Sequence, residues 1–224
     1  MERFVIAFDL DGTLVDTAPD LVATANHLLA RMGVKPLEAD AGRTAAGKGA
    51  RVLLETGLAA SGEPLPSGDE WPGIIEDFIA VYRGRIAEES RPFEGMEAFL
   101  EHCRTRDFGL AVCTNKMDYL AVELLEAVGL AGFFASVTGA NTLGAGKPDP
   151  RPLTHCIAQA GGTPGRAVLI GDSIADILAA RAAGAHSALA GWGYLDRPAG
   201  AYQADYAISA IADAIPLVEA LAES

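Results

Sequence analysis

Phe4-Val5-Ile6-Ala7-Phe8-Asp9-Leu10-Asp11-Gly12-Thr13 sets five consecutive apolar residues directly against two carboxylates and a glycine. A short apolar run bounded by turn residues is the pattern of a strand buried on both faces. Two further runs repeat it, Gly109-Leu110-Ala111-Val112-Cys113 and Ala167-Val168-Leu169-Ile170. Each ends in a polar cluster and then a helical pattern. Leu120, Leu124, Leu125 and Val128 recur after the second run, and Ile174, Ile177, Leu178 and Arg181 after the third. Weaker strands are expected at Phe134 to Val137, Ser187 to Ala190 and Tyr206 to Ile208. Strands alternating with helices predict an α/β fold, a doubly wound, Rossmann-like parallel sheet.

Residues 16–91 break this rhythm. Thr17-Ala18-Pro19-Asp20 has the spacing of a capping box that opens a helix. Val52, Leu53 and Leu54 fall in a second helix, and Ile74, Ile75, Phe78, Ile79, Tyr82 and Ile86 share one face of a third. No convincing strand lies among them. The expectation is an all-helical insertion over 16–91, carried by a catalytic core formed from 1–15 and 92–224.

Bulk properties narrow the function. The chain has 224 residues, half of them apolar, enough for one sizeable core and a smaller second unit. Its net charge of −13 argues against nucleic acid as a partner, because a phosphate backbone would be repelled. An anionic small substrate then requires a local cation or a metal. Cys103, Cys113 and Cys156 are odd in number and form no Cys-x-x-Cys pair, so a disulfide framework or thiolate zinc site is not expected. The first apolar run is too short for a signal peptide, and no stretch has the length of a bilayer span. These features fit a cytoplasmic protein without membrane partners, either monomer or homodimer.

The apolar strands end in Asp9 and Asp11, in Thr114-Asn115-Lys116 and in Gly171-Asp172, while Gly146-Lys147-Pro148-Asp149-Pro150 places a lysine in a rigid loop before a helix. Ligands of open parallel sheets bind at the carboxyl ends of the strands, so the fold gathers these residues in one crevice. Asp9, Asp11 and Asp172 together repel one another unless a cation joins them. Mg2+ takes hard oxygen ligands and commonly bridges carboxylates and substrate phosphate. Phosphoryl transfer needs positioning and neutralisation of oxygens, which Lys147, Thr114 and Asn115 supply.

Asp9-Leu10-Asp11-Gly12-Thr13, Cys113-Thr114-Asn115, Lys147-Pro148 and Gly171-Asp172-Ser173-Ile174-Ala175-Asp176 resemble, in order, spacing and strand context, the four motifs of the haloacid dehalogenase superfamily. The likeness covers the whole chain, and the helical insertion resembles that superfamily's cap. The resemblance implies that Asp9 is the nucleophile and becomes an aspartyl-phosphate. Asp11 is implied as acid and base. The Asp9 carboxylate, the Asp11 backbone carbonyl and the Asp172 carboxylate are implied to hold Mg2+, with Asp176 supporting them, and Thr114, Asn115 and Lys147 to bind the phosphoryl group. An acid at Asp11 argues for an oxygen leaving group over a halide. The stretch Phe8 to Leu21, the Gly-x-Gly loop in the insertion and Gly191-Trp192-Gly193-Tyr194 resemble the phosphoglycolate phosphatases, which implies a small phosphorylated metabolite as substrate.

Substrate choice is expected in the insertion, at Gly47, Lys48 and Arg51. Two glycines allow close approach there, and a helix start offers N–H groups to an anion. The segment reads equally as a glycine-rich turn with two solvated basic residues. Lys48 departs from the phosphoglycolate phosphatase pattern, in which a neutral residue is usual. Gly144-Ala145-Gly146-Lys147-Pro148 lacks the Ser or Thr that a P-loop requires. Gly171-Asp172-Ser173-Ile174-Ala175 is one residue from the nucleophile elbow of a serine hydrolase, but the only later histidine, His186, is too close to Ser173 for that architecture. A phosphomutase, a phosphonate hydrolase with Lys48 as its Schiff base, and a non-catalytic binding protein on the same scaffold remain open.

Overall fold

The computed structural model describes residues 2–223. The chain divides into two compact units, Met1–Asp16 with Pro92–Ser224, and Thr17–Arg91.

The larger unit is built on β1 (Val5–Phe8). After β2 (Val15–Asp16) the chain passes through the smaller unit, whose helices are α1 (Ala18–Arg31), α2 (Ala39–Ala46), α3 (Ala50–Ala60) and α4 (Trp71–Arg83), and reaches β3 (Arg91–Pro92). There follow α5 (Met96–Thr105), β4 (Gly109–Cys113), α6 (Asp118–Ala127), β5 (Ser136–Thr138), α7 (Pro150–Gln159), β6 (Ala167–Gly171), α8 (Ile174–Ala183), β7 (His186–Ala190), β8 (Tyr206–Ile208) and α9 (Ala214–Glu223). Six strands form one sheet in the order β5-β4-β1-β6-β7-β8, and β2 pairs with β3 separately. All pairings in the six-stranded sheet are parallel.

The sheet is covered on both faces, as the unbroken apolar runs require. Val5 and Ala7 of β1, Ala111 of β4 and Leu169 of β6 pack with Leu153 and Ile157 of α7 and Ala179 of α8. Phe8, with the opposite parity on β1, meets Phe99 of α5 edge to face at 5.9 Å. Each fully buried Leu, Ile or Phe of this kind contributes ~1.5–3 kcal/mol. The switch in winding falls at β1, between β4 and β6, which fixes the ligand crevice at the carboxyl end of that strand.

In the smaller unit, α1, α3 and α4 bury Leu28, Leu29, Leu53, Leu54, Phe78 and Tyr82. Two expectations for this unit change. Helix α4 stops at Arg83, with Gly84 at its C-cap, so Ile86 lies beyond the helix. The capping box at Thr17 does not form: Thr17 makes no side-chain cap bond. Asp20 is instead fully buried and accepts from the Ser90 N–H at 2.8 Å, the Ser90 hydroxyl at 2.6 Å and the Glu89 N–H at 3.1 Å. Charge-assisted bonds to a distant backbone segment outweigh a local cap worth ~1 kcal/mol. Among the described residues no helix is long and apolar enough to cross a membrane.

Candidate active site

Register carries the functional groups to one edge. Phe8 of β1 lies beside Val112 of β4 and Ile170 of β6, so Asp9, Thr114 and Asp172 emerge together where those strands end. The Asp9 N–H donates to the Ile170 carbonyl at 2.9 Å and the Thr114 N–H to Thr138 at 3.0 Å, which extends the ladder to these residues.

Lys147 is the cation at the centre of the cluster. Its Nζ lies 2.9 Å from Asp9 Oδ1 and 2.6 Å from Asp176 Oδ1, and its side chain is only 1% exposed. Carboxylate oxygens of Asp9, Asp172 and Asp176 all fall within 4.8 Å of one another. Asp176 is committed on both sides, because Oδ2 accepts from the Ser173 N–H at 2.9 Å and completes a capping box at the start of α8. Asp172 Oδ2 accepts from the Tyr194 N–H at 2.6 Å, and Asp172 Oδ1 from the Thr13 hydroxyl at 3.4 Å. Gly12, at φ +80°, has no room for a side chain, since a Cβ there would run into the Asp172 carboxylate. Glycine is thus required both by the turn and by the approach of the carboxylate.

The polar ends of β4 divide their work. Thr114 is buried, and its oxygen accepts from the Lys116 N–H at 3.2 Å, which leaves the hydroxyl proton for another acceptor. The Asn115 side chain donates to the Lys147 carbonyl at 3.0 Å and so fastens the Lys147 loop. Gly47, Lys48 and Arg51 belong to the smaller unit. Gly47 ends α2 and Gly49, at φ +92°, begins α3. Arg51 pairs with Glu55 at 2.8 Å and lies 4.7 Å over the Trp71 ring. Lys48 lines an open groove of about 440 Å³ with Asp40, Thr44, Val52 and Thr56.

The sequence profile of the haloacid dehalogenase-like hydrolase family matches residues 6–190. The chain belongs to this family. A phosphoglycolate phosphatase of Caulobacter vibrioides is 47% identical over 208 residues, covering 93% of this chain and 87% of the relative. One from Agrobacterium fabrum is 43% identical, covering 93% and 89%. Among solved structures, a predicted phosphoglycolate phosphatase from Haemophilus somnus superposes with a TM-score of 0.86 at 28% identity, over 97% of this chain and 98% of that one. A haloacid dehalogenase-like family protein from Streptococcus pneumoniae shares the fold, with a TM-score of 0.81 at 23% identity, over 96% and 98%.

The electrostatics of this hydrolase fit a cation among the aspartates. Burial raises the Asp9 carboxyl to about 6; Lys147 pulls it down, while Asp176 and Asp11 push it up. Burial, then Asp9 and Asp176, raise Asp172 to about 8, against the opposing bond from Tyr194. For Lys147, burial works against the charge, but Asp176 and Asp9 outweigh it and hold the ammonium above the ordinary lysine value. When fully ionised, the carboxylates of Asp9, Asp11, Asp172 and Asp176 exceed the ammonium groups of Lys147 and Lys116 by two negative charges. A hard divalent cation matches that deficit and the all-oxygen donor set.

Four residues of the site stand in the quoted motifs without a role assigned to them from the sequence. Lys116 places Nζ 2.8 Å from Asp11 Oδ1 and 3.0 Å from Oδ2. Thr13 and Tyr194 hold Asp172, and Ser173 holds Asp176. Lys116 belongs to the quoted Thr114-Asn115-Lys116 cluster and carries charge at a strand end, which is a usable signal. Tyr194 acts on Asp172 through its backbone, which no side-chain pattern reveals.

Proposed function

We propose that this hydrolase is a Mg2+-dependent phosphatase that cleaves a small phosphate monoester, 2-phosphoglycolate, through an aspartyl-phosphate on Asp9. The observation that carries the reading is the placement of Asp9 at the sheet edge, paired with Lys147 and within 4.8 Å of other carboxylates. The names of the curated relatives support the substrate.

Lys147 and the Leu10 N–H, at 2.9 and 2.7 Å, both converge on Asp9 Oδ1 and thereby fix the direction of the second oxygen. That oxygen attacks phosphorus as the bond from phosphorus to the ester oxygen breaks. Asp11, entering this step in its protonated form, gives that proton to the departing oxygen, which leaves as an alcohol, and Asp11 is left as a carboxylate. Asp11 then takes a proton from water, whose oxygen displaces Asp9 and releases inorganic phosphate. Lys147 and the Thr114 hydroxyl neutralise and orient the phosphoryl oxygens. The Asp9 and Asp172 carboxylates and the Asp11 carbonyl would hold Mg2+, which supplies positive charge against the phosphoryl oxygens. Asp176 keeps Lys147 in place. The residues 16–91 act as a cap, and the loop of Gly47, Lys48 and Arg51 contributes substrate choice. Within it Arg51 is held by Glu55 and Trp71, and Lys48 is the cation that lines the groove.

A panel of phosphate monoesters assayed with and without Mg2+ tests this reading. Turnover of 2-phosphoglycolate is expected to exceed that of p-nitrophenyl phosphate and to require the metal. Faster turnover of the aryl ester removes the substrate assignment, and metal-independent turnover removes the mechanism.

A further inference from the structure

Asp11 has its own lysine. Lys147 serves Asp9 and Asp176, whereas Lys116 reaches both oxygens of Asp11, at 2.8 and 3.0 Å. Both partners are withdrawn from solvent, with side chains 7% and 16% exposed. We propose that Lys116 is a positioning residue that aims the Asp11 carboxylate at the ester oxygen of a bound substrate. The inference rests on the reading of Asp11 as the group that serves the leaving oxygen.

Three observations carry it. An ammonium bound to both oxygens fixes the plane of the carboxylate as well as its distance. The lysine backbone is itself pinned, since its N–H donates to Thr114 Oγ1 at 3.2 Å and its carbonyl accepts from Ala140 at 3.1 Å. Gly139 packs so close to that carbonyl that a Cβ would meet it at 2.6 Å. A long flexible side chain is thereby launched from a fixed point, which lowers the orientational freedom of its target. Stability alone gives little reason for such a pair, because desolvation of two charges cancels most of their attraction. Orientation gives one: a protonated Asp11 that keeps one oxygen on the ammonium turns its other oxygen, with the proton, toward the ester. A misplaced acid slows release of the alcohol only where a proton must reach the leaving oxygen.

That selectivity is the test. Lys116→Met and Lys116→Arg are assayed on 2-phosphoglycolate, whose alkoxide needs a proton, and on p-nitrophenyl phosphate, whose phenolate leaves without one. In single turnovers that read only release of the alcohol or phenol, the Met variant is expected to slow the alkyl ester about 30-fold and the aryl ester less than about 3-fold. The Arg variant, which keeps the charge, is expected to recover most of the alkyl-ester loss. Should Lys116→Met not fold, Lys116→Gln is expected to give the same selective loss at about 10-fold. Parallel loss on both esters in that release step overturns the positioning role and leaves the phosphatase reading intact. A wild-type enzyme inactive on both esters with Mg2+ overturns the phosphatase reading and the role of Lys116 with it.

Discussion

Lys147 Nζ and Asp176 Oδ1 face each other at 2.6 Å, with the lysine side chain 1% exposed and the aspartate fully buried. The ammonium that reaches Asp9 is therefore held from behind by a carboxylate at the start of α8. Asp176→Asn removes the nearer of its two anionic partners. Breaking a buried pair costs ~3–5 kcal/mol, and relief of repulsion on Asp9 and Asp172 offsets part of it. The expected outcome is a loss of about 2 kcal/mol in urea unfolding, with kcat lowered more than KM is raised.

Asp9→Asn is expected to reduce turnover by at least about 10³-fold on every ester, because it removes the attacking carboxylate. Asp11→Asn is expected to slow formation of the phosphoenzyme about 10²–10⁴-fold on alkyl esters and much less on aryl esters, and to slow its hydrolysis on both. Acid-quenched single turnovers with labelled phosphate check both. Label is expected to stay on the protein in the wild type and to be absent from Asp9→Asn.

Metal dependence and pH are linked through Asp9 and Asp172. Their folded values, about 6 and about 8, lie above the unfolded value of 3.8. The folded metal-free protein therefore binds protons more tightly than the unfolded chain. That stability is complete below the unfolded value and is lost as pH rises through 6 and then 8. A cation replaces those protons, so the rise in Tm produced by Mg2+ is expected to grow from pH 6 to pH 8. Thermal melts at fixed Mg2+ across this window decide it; a shift that shrinks with pH would contradict the assignment.

Gly193→Ala is expected to weaken Mg2+ binding about 10-fold or more. A Cβ at Gly193 would collide with the Asp172 side chain and meet the Gly12 carbonyl at 2.6 Å. Gly200→Ala is the control, since a Cβ there meets nothing within 4 Å. Titration calorimetry with Mg2+ compares the two, and equal affinities would show that the Gly191 to Tyr194 segment does not shape the carboxylate cluster.

The sheet was legible where burial is complete. Val5–Phe8, Gly109–Cys113 and Ala167–Gly171 are unbroken apolar runs because both faces are covered. The edge strand Ser136–Thr138 is half-polar, and the sequence places it two residues early. Helix α2 has no bulky stripe to announce it: its sequence is ADAGRTAA, and Gly42 sits where Val22 leaves no room for a Cβ. Asp20 misled because its partners lie at residues 89 and 90, beyond any local spacing. Within the site, Asp9, Thr114 and Asp172 are marked by strand ends. The link from Lys116 to Asp11 joins two different strand ends, and only the parallel register of β1 and β4 brings them together.

The bonds from Asp20 to Glu89 and Ser90 bear on how the chain acquires its fold. Strands β1 and β4 are neighbours in the sheet but are separated in sequence by all four helices of the smaller unit. Closing so long a loop between them carries an entropic cost that must be met before their pairing yields anything. Helices are local structures and form early. Once they pack, Asp20 ties their first turn to the last residues of the segment, and the long intervening chain behaves as a short hairpin. Asp20→Ala is thus expected to slow refolding as well as to weaken the folded state, an effect on assembly from a residue outside the sheet.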